Sequence, residues 1–146
     1  MLYRLRRRSK DEGGFTLIEL LVVILIIGIL AAIAIPSLIN QRGKASDATA
    51  KSQARTLQTT AETSGTDNEG EYSAASLANL ESIEVTLKDH SVATPSVSKA
   101  EPEEYEVASE SNTTKDRFSI LRKTNGDVKR TCTVKGHGGC PESGKW

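Results

Sequence analysis

The sequence predicts an α+β fold, in which a long N-terminal α-helix with a hydrophobic first half packs on a small antiparallel β-sheet of three to four strands. The helix is indicated by residues 15–35, an apolar run with one charged side chain, Glu19. At about 1.5 Å per residue, such a helix spans roughly 30 Å, the thickness of one bilayer core. The sheet is indicated from Ile83 onward, where apolar residues recur with a period of two.

Residues 1–14 form a predicted leader. They carry five cations against two carboxylates and show no apolar periodicity. Cations that precede a membrane span stay on the cytoplasmic side, so the C-terminal part is expected to be exported. A nucleic-acid patch is the alternative, but the basic run ends where the apolar segment begins. The charged residues of the leader are Arg4, Arg6, Arg7, Arg8, Lys10, Asp11 and Glu12.

The edge between leader and helix differs from that of a secretory signal, in which small residues follow the apolar core. Here Gly13 and Gly14 precede it. Cleavage after Gly14 would remove only the basic leader and would keep the whole hydrophobic helix, with Phe15 as the new N-terminus.

This order of features resembles the type IV pilins and their pseudopilin relatives. The resemblance covers residues 4–36: a basic leader, the run Gly-Phe-Thr-Leu-Ile-Glu from Gly14 to Glu19, further apolar residues, and Pro36. It implies a type IV pilin-like fold, cleavage by prepilin peptidase between Gly14 and Phe15, N-methylation of Phe15, and an assembly role for Glu19. The domains are then 1–14, a leader removed on maturation; 15–36, a transmembrane and fibre-core helix; and 37–146, a periplasmic or extracellular α+β head.

Glu19 raises the free energy of inserting this helix into a membrane, because a carboxylate near the bilayer centre costs about 2 to 3 kcal/mol. Phe15 lies four residues earlier and therefore on the same helix face. If copies stack with an axial stagger, Glu19 of one can meet the α-amine of Phe15 in the next, and a pair in an apolar core specifies register. The alternative is that Glu19 extends to the lipid headgroups and has no further role.

Gly28 and Pro36 are predicted weak points of the helix. Glycine costs about 1 kcal/mol in a helix interior, and proline removes a hydrogen bond. In the family, several fibres lose helicity in this segment. A simple proline kink is the alternative.

Beyond Pro36 the helix is expected to continue to Ser64, with a narrow apolar stripe facing the sheet. Gly65 is predicted to end it as the C′ residue. A short helix capped by Ser73 should follow over Ser73–Leu80, with Leu77 and Leu80 inward. The stripe consists of Ala50, Ala54, Leu57 and Ala61.

Four segments carry the strand pattern, and the stretch between the first and second, Ser91–Glu104, is predicted to be a surface loop. Asn125-Gly126 between the last two predicts a hairpin with a type I′ turn. The alternating residues are Ile83, Val85 and Leu87; Tyr105 and Val107; Phe118 and Ile120; and Val128, Cys132 and Val134.

Cys132 and Cys140 fall in the part expected to be exported, where thiols are normally oxidised, so they predict a disulfide that closes a short loop. The alternative is a metal site that includes His137. Such a site has three ligands, one short of the usual zinc set, unless His90 joins it.

No catalytic constellation is evident: the two histidines, His90 and His137, lie in predicted loops without a nucleophile motif. The chain is therefore expected not to be an enzyme and to have no cofactor and no metal. The resemblance to type IV pilins implies a structural subunit of a type IV pilus. Its expected partners are other copies of itself in a helical homopolymer, prepilin peptidase, the pilus assembly platform, minor pilins, and the inner membrane before assembly. No specific nucleic-acid site is evident.

The expected location is the cytoplasmic membrane for the precursor, with the C-terminal domain outside, and then an extracellular pilus on the bacterial cell surface. The alternatives are a pseudopilin of a type II secretion or DNA-uptake system and, from another class, a monomeric membrane-anchored binding module. Secretion pseudopilins usually carry an acidic calcium loop at the C-terminus. The glycine-rich, cysteine-closed end of this chain favours a pilin.

Overall fold

The computed structural model describes residues 14–146, and the predicted leader up to Gly13 lies outside the described residues. It divides into an N-terminal unit that ends at Leu38 and a head, Ile39–Trp146. We describe the two units separately.

Helix α1 runs over Leu17–Asp67 and includes Pro36. The predicted long helix is therefore confirmed, although both of its ends lie a few residues further along the chain. In the N-terminal unit it is apolar on all sides, with a mean hydropathy of 3.1 over a window of which none is buried. This part of α1 is long and apolar enough to cross a membrane.

The sheet of the head has four antiparallel strands in the order β1-β2-β3-β4, which confirms the predicted fold class. The head half of α1 packs on it: the four residues of the predicted stripe are fully buried, against Tyr105, Val107, Phe118 and Ile120. The remaining elements are α2 (Leu77–Ile83), a 3₁₀ turn (Val85–Lys88), β1 (Ala93–Ala100), β2 (Tyr105–Ser111), β3 (Arg117–Arg122) and β4 (Val128–Cys132).

The role predicted for Gly65 is wrong, because α1 continues past it to Asp67. The helix ends at Asp67. In the turn that follows, Glu69 takes the left-handed conformation with φ 58°, and the Gly70 N–H donates to the Gly65 carbonyl at 2.8 Å. Gly65 is instead a point of close approach. A Cβ at this position would lie 2.6 Å from Cε1 of the buried Tyr72 ring.

Gly65→Ala is expected to destabilise the head by about 1 to 3 kcal/mol, because an added methyl group forces a packed side chain to move. Thermal unfolding of the full-length protein in detergent, followed by circular dichroism, measures the effect. Gly28→Ala is the matched control, since a Cβ there meets no atom within 4 Å. Unfolding of Gly65→Ala at the wild-type temperature would contradict the assignment.

The strand predicted at Ile83, Val85 and Leu87 is wrong. Ile83 ends α2, and the 3₁₀ turn follows. The cause is local: the Glu84 carboxylate accepts hydrogen bonds from the Thr86 N–H at 3.1 Å and the Thr86 hydroxyl at 2.8 Å. Such a bond offers the backbone an alternative to a sheet.

The N-cap predicted for α2, Ser73, is also wrong. Ser76 caps the helix, with its Oγ accepting from the Asn79 N–H at 3.3 Å, and the predicted cap Ser73 precedes it in a turn. The inward placement of Leu80 is confirmed, since this side chain is fully buried. Leu77 is partly buried against the same core.

The predicted loop Ser91–Glu104 contains β1, which pairs with β2 from Ala93↔Ser111 to Ala100↔Tyr105. The sequence hides this strand because it is rich in serine and threonine and contains Pro95. Proline is tolerated here because β1 is an edge strand, on which one row of backbone groups needs no partner in the sheet.

The hairpin predicted between β3 and β4 is confirmed, but its type I′ turn is wrong. Only Gly126 of the central pair has positive φ, at 83°, and the Gly126 N–H donates to the Lys123 carbonyl at 2.8 Å. The loop is thus a three-residue one with glycine in the left-handed position. Val134, placed in the last strand by the sequence, lies beyond β4, and its N–H donates to Asp116 Oδ1 at 2.9 Å.

Candidate assembly site

Thr16 and Glu19 cap the N-terminal turn of α1 with reciprocal hydrogen bonds. The Thr16 N–H and hydroxyl both donate to Glu19 Oε2 at 2.8 Å, and the Glu19 N–H donates back to Thr16 Oγ1 at 3.2 Å. This reciprocal arrangement is a capping box, which satisfies N–H groups that the start of a helix leaves without partners. Within the described residues, Glu19 therefore has a local partner that the sequence prediction did not include.

Phe15 and Glu19 line one shallow groove on the helix surface, together with Ile18 and Val22. Phe15 is 92% exposed. Glu19 Oε1 accepts no hydrogen bond from the residues that the structure describes, because all three contacts of the capping box use Oε2 or the backbone. Phe15 and a carboxylate oxygen of Glu19 with spare accepting capacity thus lie on the same face.

Gly28 borders a second groove of α1, which it shares with Leu25, Ile29 and Ala32. A Cβ at Gly28 would meet nothing within 4 Å, so this surface is open in the single chain. The helix is continuous through both Gly28 and Pro36. The predicted loss of helical structure at these two positions concerns the assembled fibre, and it remains a prediction.

The C-terminal end of the head is closed by a disulfide between Cys132 and Cys140, with Cα atoms 5.8 Å apart. Both residues are buried, and the Cys132 N–H donates to the Gly144 carbonyl at 3.0 Å. His137 is exposed on the loop between them. Because both sulfurs are joined to each other, they are not available as thiolate ligands for the metal site that the sequence left open.

Asp47 holds this loop to α1, and the sequence prediction missed it. Its carboxylate is fully buried and accepts from the Gly139 N–H at 2.7 Å and from the Thr114 hydroxyl. Lys51, one turn later, donates to the Gly139 carbonyl. A side chain at Gly139 would place its Cβ 2.9 Å from the Asp47 Cβ, so glycine allows this approach. The sequence does contain one indication of its burial: Asp47 lies three residues before Ala50, at the helical spacing of the buried stripe.

Reduction of the disulfide is expected to cost the head about 2.5 kcal/mol, as the loop-entropy model gives for a short loop. The loss should be local, because Asp47 and Lys51 still hold Gly139. Hydrogen exchange on purified protein with and without dithiothreitol should show faster exchange over residues 132–145 and unchanged exchange in α1. Free thiols in native material, or loss of protection along α1, would contradict this expectation.

A second carboxylate of α1, the partly exposed Glu62, joins the helix to the sheet. It accepts from the hydroxyls of Tyr72 at 2.7 Å and Tyr105 at 2.8 Å, and it pairs with Arg122 Nε at 3.2 Å. Burial, reinforced by the Glu62 carboxylate, raises the pKa of Tyr105 well above its ordinary value. Tyr105 therefore stays protonated and acts as a donor, which makes this cluster a structural one.

The N-terminal part of the chain matches a known protein family. The model of a family described as a prokaryotic N-terminal methylation motif matches residues 9–35, which include Gly14, Phe15 and Glu19. The match ends one residue before Pro36 and lies entirely before the head.

Similar curated proteins are pilus subunits. The chain is 46% identical over 56 residues to the type IV major pilin protein PilA of Myxococcus xanthus, covering 38% of this chain and 26% of that protein. It is 49% identical over 53 residues to a fimbrial protein of Pseudomonas aeruginosa, covering 36% and 34%. It is 58% identical over 38 residues to the type IV wide pilus major component PilA4 of Thermus thermophilus, covering 26% and 29%. The resemblance to type IV pilins is confirmed, although the matches span only 26% to 34% of these relatives.

Proposed function

We propose that this chain is a structural subunit of a type IV pilus, processed between Gly14 and Phe15 and polymerised through its hydrophobic N-terminal helix. The observation that carries the proposal is the methylation motif over residues 9–35, which coincides with an apolar helix that is unburied in the single chain. An apolar surface of this size requires either lipid or other copies of the same helix.

Processing comes first in the proposed sequence of events. The precursor lies in the cytoplasmic membrane with its head outside, and prepilin peptidase cuts after Gly14. Gly14 and Phe15 precede the first helical residue, Leu17, and both are exposed. The scissile bond thus lies in non-helical backbone, which suits entry into a protease site. Methylation of the new Phe15 amine follows.

Assembly then transfers the helix from lipid into the fibre core. The Glu19 carboxylate accepts a charge-assisted hydrogen bond from the Phe15 amine of a neighbouring copy, through the oxygen that the capping box leaves without a donor. Such a pair fixes the axial stagger, because any other register leaves two charges unpaired in an apolar core. Gly28 and Pro36 are the positions at which the packed helix is proposed to adjust.

Electron microscopy of material sheared from cells, combined with mass spectrometry, tests the function. Long surface fibres that contain this chain are the expected result. The chain in isolated membranes only, with fibres absent from the cell surface, would contradict the pilus proposal and would favour a pseudopilin or a monomeric anchored protein.

A further inference from the structure

A basic cleft lies along the β4 edge of the head. Four cationic side chains line it, with Asp127 as the only carboxylate side chain among its lining residues and Trp146 at its wall; its volume is about 740 Å³. We call it the β4 cleft. Its cations are Lys123, Lys129, Arg130 and Lys145.

The cations of the β4 cleft have few internal partners. Within residues 14–146, none of the four takes part in an ion pair. Arg130 Nε is buried without a hydrogen-bond partner in that range, although another nitrogen of its guanidinium donates to Gln58 at 3.3 Å. Asp127 is engaged with Asn125, whose amide donates to it at 2.7 Å. Within residues 14–146 the four cations of the cleft therefore have no ion-pair partner, which leaves them available to an anion from outside the chain.

The complementary surface is on the same head. An acidic segment, residues 67–71, begins at the last residue of α1 and carries Asp67, Glu69 and Glu71. The Tyr72 N–H donates to the Pro102 carbonyl at 3.1 Å, which brings this segment beside the β1–β2 loop with Glu101 and Glu103. We call these five exposed carboxylates the acidic corner. Only Glu101 has an ion pair in the described part of the chain, with Lys99 at 3.5 Å.

The two surfaces do not neutralise each other within one copy. Arg122, at the end of β3, donates to the backbone carbonyl of Glu103 at 3.2 Å, and among residues 14–146 the Glu103 carboxylate has no ion pair. The sequence shows the same separation. Residues 62–110 hold twelve carboxylates and two lysines, and residues 111–146 hold eight lysines and arginines and three carboxylates.

We propose that the β4 cleft receives the acidic corner of a second copy of this chain. One chain supplies both halves of a complementary pair, on different parts of its surface, so the contact is heterologous. A heterologous contact repeats from copy to copy and forms open helical filaments when the rotation does not close a ring. The inference rests on the proposed function and adds a contact outside the apolar helix core, one that sets which faces of neighbouring heads meet.

Charge reversal in the full-length chain tests this contact in cells. The pair Lys123→Glu and Lys129→Glu is expected to lower fibre yield about tenfold, because facing like charges oppose association. The pair Glu71→Lys and Glu103→Lys should do the same, and a chain with all four changes should recover fibres. All four residues are exposed, and Lys88→Glu, at an exposed lysine outside both surfaces, is the matched control with wild-type yield. Normal yield from either pair, or failure of the four-fold variant to recover, would overturn the proposal.

Cross-linking separates this contact from the function on which it rests. Fibres or membranes from mixed isotope-labelled and unlabelled cells, treated with a carbodiimide, should yield mixed-label amide links that join Lys123 or Lys129 to the acidic corner. Such links in a chain that forms no fibres would support the contact and refute the pilus. Fibres that carry no mixed-label links would refute the contact and leave the pilus. Loss of nucleic-acid binding in Lys123→Glu/Lys129→Glu fibres of normal yield would assign the cleft to a polyanion and overturn the proposal.

Discussion

A Glu19→Ala variant is expected to insert into the membrane and to yield no fibres. Insertion should improve, because alanine removes a carboxylate that costs about 2 to 3 kcal/mol in a bilayer. Assembly should fail, because the Phe15 amine of the next copy would be left unpaired in an apolar core at a cost of about 3 to 5 kcal/mol per subunit. The measurement is the ratio of sheared fibre protein to membrane-bound protein.

Two further variants separate the capping box from the contact between copies. Glu19→Gln keeps an N3 side chain that can complete a capping box but removes its charge, so it should also lose fibres. Thr16→Val removes the capping hydroxyl and keeps the carboxylate, so it should retain them. Normal yield from Glu19→Ala, or loss of fibres only in Thr16→Val, would assign Glu19 to the helix start alone.

A Gly14→Val variant is expected to remain uncut. Gly14 is exposed, and a Cβ there would meet no atom of the described residues within 4 Å. The head should therefore fold normally, and the effect of a branched side chain should fall on the protease site. Intact-mass analysis should show a chain that retains residues 1–14, whereas the wild type should begin at Phe15 and be heavier by one methyl group.

Gly28→Val is the control for this experiment, since it adds the same side chain at an open position further along α1. It should be cut like the wild type. A wild-type fibre protein that retained its leader would refute the proposed processing, and cleavage of Gly14→Val at the normal position would show that Gly14 is not required.

The parts of the fold predicted from sequence are those that local pattern determines. Continuous apolar composition specified the first half of α1, and the small-residue stripe specified its second half. The strand β1 was missed because its serines, threonine and proline form a strand only through pairing with β2. The strand expected at Val85 failed for the opposite reason, since the Glu84 side chain stabilises a local turn.

The same distinction applies to the candidate site. Gly14, Phe15 and Glu19 form a contiguous motif, so the sequence alone could single them out. Asp47 and Glu62 could not be assigned, because their partners Gly139 and Tyr105 lie far along the chain and meet them only in the folded head. A carboxylate on a helix is ordinarily solvated. Burial identifies Asp47 as structural, and the hydrogen bonds from Tyr72 and Tyr105 identify Glu62.

The outer strand β1 has a consequence for a crowded fibre. An open sheet edge is a template on which a neighbouring chain can add a strand, and such additions lead to irreversible aggregation. Here Pro95 removes one backbone donor, and the register shifts between Val97 and Lys99. Both features interrupt the row of hydrogen-bonding groups that a second chain would need. In the proposed fibre, where heads lie at high local concentration, the β1 edge is therefore protected from backbone pairing with a neighbouring head.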